Sequence, residues 1–329
     1  MLASTAAATT VSGLLLAGGG RDDSPALSDG DETLTFRELR EQVRDRVDSF
    51  ELRERSLVTL TGDRSIEFVV TYLALLEAGH VPILAGDHAE HLAEQWGIGA
   101  AVTATVDSSS VEMTGREPLE LHRDLALLVS TSGSTGCPKL VRLSHHNLVS
   151  NALAIAEYQR LTAADRGITS LPLHYCFGLS VLHSHLAVGA GVVLTDNSVV
   201  DPCFRAALRD HGVTNLAGVP HTYELLECSN PDELADTSLR LFAQAGGRLA
   251  PSAVTNWAER ADRWGAEFMV MYGQSEATAR IAYLPPESVA RRPGSVHSWH
   301  GYLRTSSRIT SSDLSGCLRC VISVLDMNI

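Results

Sequence analysis

The residues of greatest chemical interest run Leu127-Leu128-Val129-Ser130-Thr131-Ser132-Gly133-Ser134-Thr135-Gly136-Cys137-Pro138-Lys139. An apolar strand opens into a loop of hydroxyls and glycines that closes on a lysine, an arrangement suited to a polyphosphate. Glycines let backbone N–H groups turn around an anion, hydroxyls donate further hydrogen bonds, and Lys139 supplies a point charge. The loop is not of the Walker type, because Lys139 follows a proline and precedes a leucine instead of closing a GxxxxGK[ST] run. A Ser/Gly-rich surface linker has the same composition; the buried-type strand before the loop and the helix expected from Ser144 favour the phosphate reading.

Three later segments share this chemical character. Ala245-Gly246-Gly247-Arg248-Leu249-Ala250-Pro251 is a glycine turn between a strand and a helix. Met271-Tyr272-Gly273-Gln274-Ser275-Glu276-Ala277 sets an aromatic ring, a hydroxyl and a carboxylate within five residues. Leu171-Pro172-Leu173-His174-Tyr175-Cys176-Phe177-Gly178-Leu179 carries a histidine in an aromatic setting.

Taken in this order, the segments resemble the signatures of the adenylate-forming superfamily, which includes acyl-CoA synthetases, luciferases and peptide-synthetase adenylation domains. Ser130 to Lys139 is similar to its phosphate-binding loop, and Tyr272 to Glu276 to its Tyr-Gly-x-Thr-Glu motif, with Ser275 keeping the threonine hydroxyl. Leu34-Thr35-Phe36-Arg37-Glu38-Leu39 and Leu75-Leu76-Glu77-Ala78-Gly79-His80-Val81-Pro82-Ile83 resemble two early structural motifs.

The resemblance implies roles for individual residues. Ser130, Thr131, Ser132, Gly133, Ser134, Thr135, Gly136 and Lys139 would cradle the phosphates of ATP. Gly246, Gly247 and Arg248 would run along the adenine, although a plain strand-to-helix turn reads the same way. Tyr272 would stack on the base, with Gly273 and Gln274 beside it; Ser275 would contact phosphate, and Glu276 would help hold Mg²⁺, a cation that prefers carboxylate and phosphate oxygens. His174 would border the acyl pocket, or else be a histidine hydrogen-bonded within its loop. Phe177, Val219 and Tyr223 fall near that pocket too, Tyr223 being equally suited to a core position.

The reaction implied is ATP-dependent activation of a small carboxylic acid to an acyl-adenylate, with coenzyme A or a carrier-protein thiol as later acceptor. Lys139, Glu276 and His174 are its candidate catalytic residues. Relatives continue through a ribose-binding aspartate, a hinge and a mobile C-terminal domain with a catalytic lysine, none of which is legible here. The expectation is therefore an incomplete N-terminal AMP-binding domain over residues 1–296, an unrelated tail over 297–329, and impaired adenylation. The alternatives are a non-catalytic nucleotide- or acyl-binding fragment, or an interaction module completed by a C-terminal domain in trans. A dehydrogenase is disfavoured because no GxGxxG follows a strand and opens a helix.

The elements that must position these residues alternate between strand and helix. Thr35 reads as an N-cap and Glu38 as its capping-box partner, ahead of Phe36, Leu39, Val43 and Val47 at helical spacing. Strands are expected at 57–61, 81–84, 125–130, 167–171, 191–195, 215–219, 239–245 and 267–272. Helices are expected at 66–78, 144–158, 178–187, 202–211, 222–227 and 251–264. Because parallel strands need crossover helices, this order predicts an α/β fold of largely parallel, layered sheets flanked by helices.

Bulk properties narrow the partners. With 26 Lys and Arg against 39 Asp and Glu, the formal charge of −13 repels a nucleic-acid backbone. Six scattered cysteines do not make a disulfide framework, and Cys317 and Cys320 form a CxxC without a second ligand pair, so a reducing cytoplasm is expected. No basic residue precedes the apolar stretch 11–17, and no apolar run reaches the roughly 20 residues of a membrane span.

Overall fold

Crossover connections divide the chain between two sheets. The computed structural model describes residues 10–17, 21–52, 54–84, 86, 92, 98–105, 108–114, 119–131 and 139–295; Cys137, Cys317, Cys320 and the expected tail 297–329 lie outside them. The first sheet comprises β3 (Leu57–Gly62), β4 (Val81–Leu84), β5 (Ala100–Thr105), β6 (Ser108–Met113), β7 (Leu125–Thr131) and β8 (Lys139–Ser144), in the order β6-β5-β3-β4-β7-β8. The second comprises β1 (Pro25–Asp29), β2 (Glu32–Thr35), β9 (Arg166–Ile168), β10 (Gly191–Leu194), β11 (Asn215–Gly218), β12 (Leu241–Gln244), β13 (Glu267–Tyr272) and β14 (Ala282–Leu284), in the order β14-β13-β12-β11-β9-β10-β1-β2.

Interior strand pairs are parallel, as the alternation predicts, while each sheet is bordered on both edges by an antiparallel strand: β6, β8, β2 and β14. Edge strands β2, β6 and β8 escape the sequence reading because they carry polar residues within the strand, with no apolar run to mark them.

Helices fill and cover the layers: α1 (Val11–Leu16), α2 (Phe36–Ser49), α3 (Ile66–Glu77), α4 (His145–Tyr158), α5 (Cys176–Leu186), α6 (Pro202–Asp210), α7 (Pro220–Cys228), α8 (Pro251–Arg263) and α9 (Pro286–Val289). The Thr35–Glu38 capping box forms as predicted, and α2 turns Phe36, Leu39 and Val43 inward. By contrast α3 and α5 are buried around nearly their whole circumference, because they share cores with strand residues instead of lying on the surface. The main core joins Val58 and Leu60 of the first sheet to Leu27, Val192 and Leu194 of the second through these helices. The apolar stretch at 11–17 is part of that core: α1 buries Val11, Leu14, Leu15 and Leu16.

Period-2 alternation divides the two faces of the second sheet. Leu216, Phe242, Phe268 and Val270 pack with Trp257 on one side, whereas Ala217, Ala243, Met269 and Met271 pack with Phe177 and Val181 of α5 on the other. The latter face leads to the site.

Candidate active site

A hairpin places the expected phosphate loop. Thr131, the last residue of β7, pairs with Lys139, the first of β8, and the Thr131 hydroxyl donates to the Lys139 carbonyl at 3.4 Å. Ser130 and Thr131 are half-buried and Lys139 is exposed, so the charged end is available to a ligand. Ser132, Gly133, Ser134, Thr135 and Gly136 lie outside the described residues. The sequence reading passes from loop to helix at Ser144; the structure inserts β8 between them.

Edge strand β8 packs against a single 3₁₀ turn, Ser275–Ala277, which brings the lysine-bearing hairpin beside the Tyr-Gly segment. Tyr272 ends β13 with 49% of its surface exposed. Gly273 is required by close approach: a Cβ there would sit 1.6 Å from the Ala279 carbonyl oxygen. The chain then folds back on itself, the N–H groups of Ala277 and Ala279 both donating to the Gln274 carbonyl at 3.1 Å. Thr278 and Ala279 take φ values of 58° and 77°, a pair of non-glycine residues in the left-handed region, where backbone strain gathers at functional turns. Glu276 projects exposed from this turn, and Ser275 is half-buried.

The glycine turn is held from beneath. Buried Gln244 donates through Nε2 to the carbonyls of Gly247, at 2.9 Å, and Ala245, at 3.2 Å. Gly246 has φ +77°, and a Cβ there would meet the Tyr175 hydroxyl at 2.7 Å and Val219 Cγ1 at 2.8 Å. Arg248 is exposed at the end of the turn.

Tyr175 thus reaches the Gly246 turn, and its neighbour Cys176 reaches the Tyr-Gly turn, its Sγ lying 3.1 Å from the Ser275 hydroxyl. Burial pushes the Cys176 thiol above its ordinary range, which keeps it protonated and a poor nucleophile. Neither Tyr175 nor Cys176 stands out in the sequence; only their place in the same segment as His174 could have pointed to them. His174 instead lines a separate cavity of about 210 Å³ with Gly62, Asp63, Arg64, Gly86 and Asp196. Of the other pocket candidates, Phe177 and Val219 stay close to the cluster, but Tyr223 does not: it is fully buried on the opposite face of the sheet, edge-on to Trp257 and Phe268. The side-chain periodicity of β11 and α7 assigns it to the core.

Among the described residues no group of three His, Cys, Asp or Glu side chains is placed to hold a metal. A single exposed carboxylate such as Glu276 still fits Mg²⁺, which takes one or two protein carboxylates and completes its shell with phosphate oxygens and water. No helix among the described residues is long and apolar enough to cross a membrane.

Comparison with known proteins agrees with this geometry. A profile described as AMP-binding enzyme matches residues 93–299. Tyrocidine synthase 3 of Brevibacillus parabrevis is 30% identical over 236 residues, covering 62% of this chain and 4% of that protein. Feruloyl-CoA synthase of an Amycolatopsis species is 27% identical over 228 residues, covering 68% of this chain and 45% of its own length. The chain therefore spans less than half the length of either relative. Among solved structures, the inhibitor-bound N-terminal domain of FACL13 from Mycobacterium tuberculosis shares the fold, with a TM-score of 0.74 at 15% identity over 88% of this chain and 81% of that one. Apo MbtA from Mycobacterium smegmatis gives 0.70 at 25% identity over 84% of this chain and 59% of its own. The profile match takes in every site element from β7 to the Ser275 turn, and the chain belongs to the family of AMP-binding, adenylate-forming enzymes.

Proposed function

We propose that this chain binds Mg-ATP and a carboxylic acid and supports formation of an acyl-adenylate. The observation that carries the reading is the packing of β8 against the Ser275–Ala277 turn, which puts Lys139, Glu276 and the exposed face of Tyr272 on neighbouring elements. The adenine stacks on Tyr272 along the Gly246–Arg248 turn. The hydroxyls of residues 130–135, the glycines and Lys139 bind the phosphates, and Glu276 with the phosphate oxygens holds Mg²⁺.

A substrate carboxylate oxygen then attacks the α-phosphorus: the new C–O–P linkage forms as the bond to pyrophosphate breaks. No covalent enzyme intermediate is needed, so catalysis rests on alignment and on charge neutralisation. A thiol, from coenzyme A or a carrier protein, is the acceptor of the acyl group; the similarity to feruloyl-CoA synthase supports coenzyme A. Such chemistry draws on ATP and reduced thiols, which fits a cytoplasmic location.

Carboxylate-dependent exchange of labelled pyrophosphate into ATP, with calorimetry of Mg-ATP binding, tests the reading. Binding together with exchange supports a ligase acting by itself. Binding without exchange supports a nucleotide-binding unit that needs a second domain in trans, and no binding overturns the proposal.

A further inference from the structure

Arg280 is buried, with 2% of its surface exposed. No carboxylate among the described residues lies within ion-pair distance of it. Its Nη1 donates to the Tyr158 hydroxyl at 3.2 Å and to Met271 Sδ at 2.8 Å, and Cζ stands 4.2 Å over the Phe177 ring. Nε is buried and without a partner. A guanidinium stays protonated at any ordinary pH, so this is a permanent buried cation whose partners among the described residues are a ring face, a phenol and a thioether.

Its position is as telling as its charge. Arg280 follows the Ser275–Ala277 turn, and Phe177, beneath its guanidinium, follows Cys176, whose thiol touches Ser275. The cation thus lies on the α5 side of β13, against Met271 and Phe177 and close to the Ser275 turn proposed to face the nucleotide. The donors that remain are on the edge bearing Nε, the fork that a carboxylate accepts in bidentate fashion.

We propose that Arg280 is a specificity residue and that the preferred substrate is a dicarboxylic acid, one carboxylate being activated while the other pairs with Arg280. This rests on the acyl-adenylate reading above and deepens it.

Calorimetry and pyrophosphate exchange at saturating Mg-ATP test it, using straight-chain and aromatic dicarboxylic acids, their monomethyl esters and monocarboxylic acids of equal length. At least one diacid is expected to bind about tenfold or more tightly than its monomethyl ester. Arg280→Met should erase that preference and leave Mg-ATP affinity unchanged, with Arg280→Lys keeping part of it. No diacid preference anywhere in the panel, or a preference that survives in Arg280→Met, overturns the assignment. If Arg280→Met does not fold, the wild-type comparison and Arg280→Lys decide. Failure of the wild type to bind Mg-ATP would sink the nucleotide reading, whereas Mg-ATP binding without diacid preference sinks only the role of Arg280.

Discussion

The hydroxyl of Tyr175 stands 2.7 Å from the point that a Cβ on Gly246 would occupy, so the start of α5 and the turn after β12 meet at a place where only a glycine fits. Gly246→Ala must both strain a left-handed backbone position and displace Tyr175 or Val219. The expected cost is about 1–3 kcal/mol of stability, together with weaker Mg-ATP binding. Adding Tyr175→Phe removes one of the two clashing atoms, and the double variant should recover part of the lost stability. Denaturant midpoints for the four proteins of the cycle check this; strictly additive losses would show that the contact has no energetic content.

Lys139 begins β8 exposed to solvent and makes no ion pair among the described residues. Its loss should therefore leave folding intact and act on the ligand alone. A charge-assisted phosphate contact is worth about 1.5–3 kcal/mol, so Lys139→Ala should raise the Mg-ATP dissociation constant roughly 10- to 100-fold. Calorimetry gives the affinity and a thermal melt without nucleotide gives the control. An unchanged affinity would remove Lys139 from the site.

Glu276 is exposed on its turn, and its proposed partner is the metal rather than the protein. Glu276→Gln should raise the Mg²⁺ concentration needed for half-maximal nucleotide binding several-fold while affinity for metal-free ATP changes little. A magnesium titration of ATP binding in both proteins separates these terms. Equal loss with and without magnesium would mean that the carboxylate acts on the turn itself.

His183 and His185 of α5 are fully buried, and burial holds them down to about 3 and about 4. His183 shares a 2.9 Å hydrogen bond with the Tyr72 hydroxyl, and His185 Nδ1 lies 2.8 Å from the Val181 carbonyl oxygen. Both are neutral in the folded chain, whereas in the unfolded chain they titrate near 6.5. Stability is therefore full above about pH 6.5 and falls as pH drops from there toward 4, because the unfolded state takes up protons that the folded state refuses. Each histidine steepens the fall by at most about 1.4 kcal/mol per pH unit. Denaturant unfolding between pH 7.5 and 4.5 should show this slope, and His185→Leu should flatten it whatever its effect on absolute stability.

Local signals were enough to read much of this architecture. Thr35 with Glu38 marked a helix start because a capping box is satisfied within four residues. Apolar runs such as Leu125–Val129 marked interior strands because a parallel strand is covered on both faces. The Ser130–Lys139 and Tyr272–Glu276 segments raised the expectation of phosphate and metal chemistry through their residue types and their order along the chain.

What the sequence determined, then, was the parallel α/β order and, through its motifs, the AMP-binding family, both consequences of neighbours along the chain. Only the tertiary structure could decide which distant residues meet. The antiparallel edge β8 became visible through its pairing with β7, and with it the packing of the strand that bears Lys139 against the Ser275 turn. Tyr223 went to the core while Tyr175, which the sequence did not single out, went to the glycine turn, although the two are the same residue type. Arg280 carries no local signal of burial, yet β13 and α5 bury it over Phe177 with no counter-charge among the described residues. Burial and pairing across the sheet are long-range properties, set by which strands adjoin, and no local pattern encodes them.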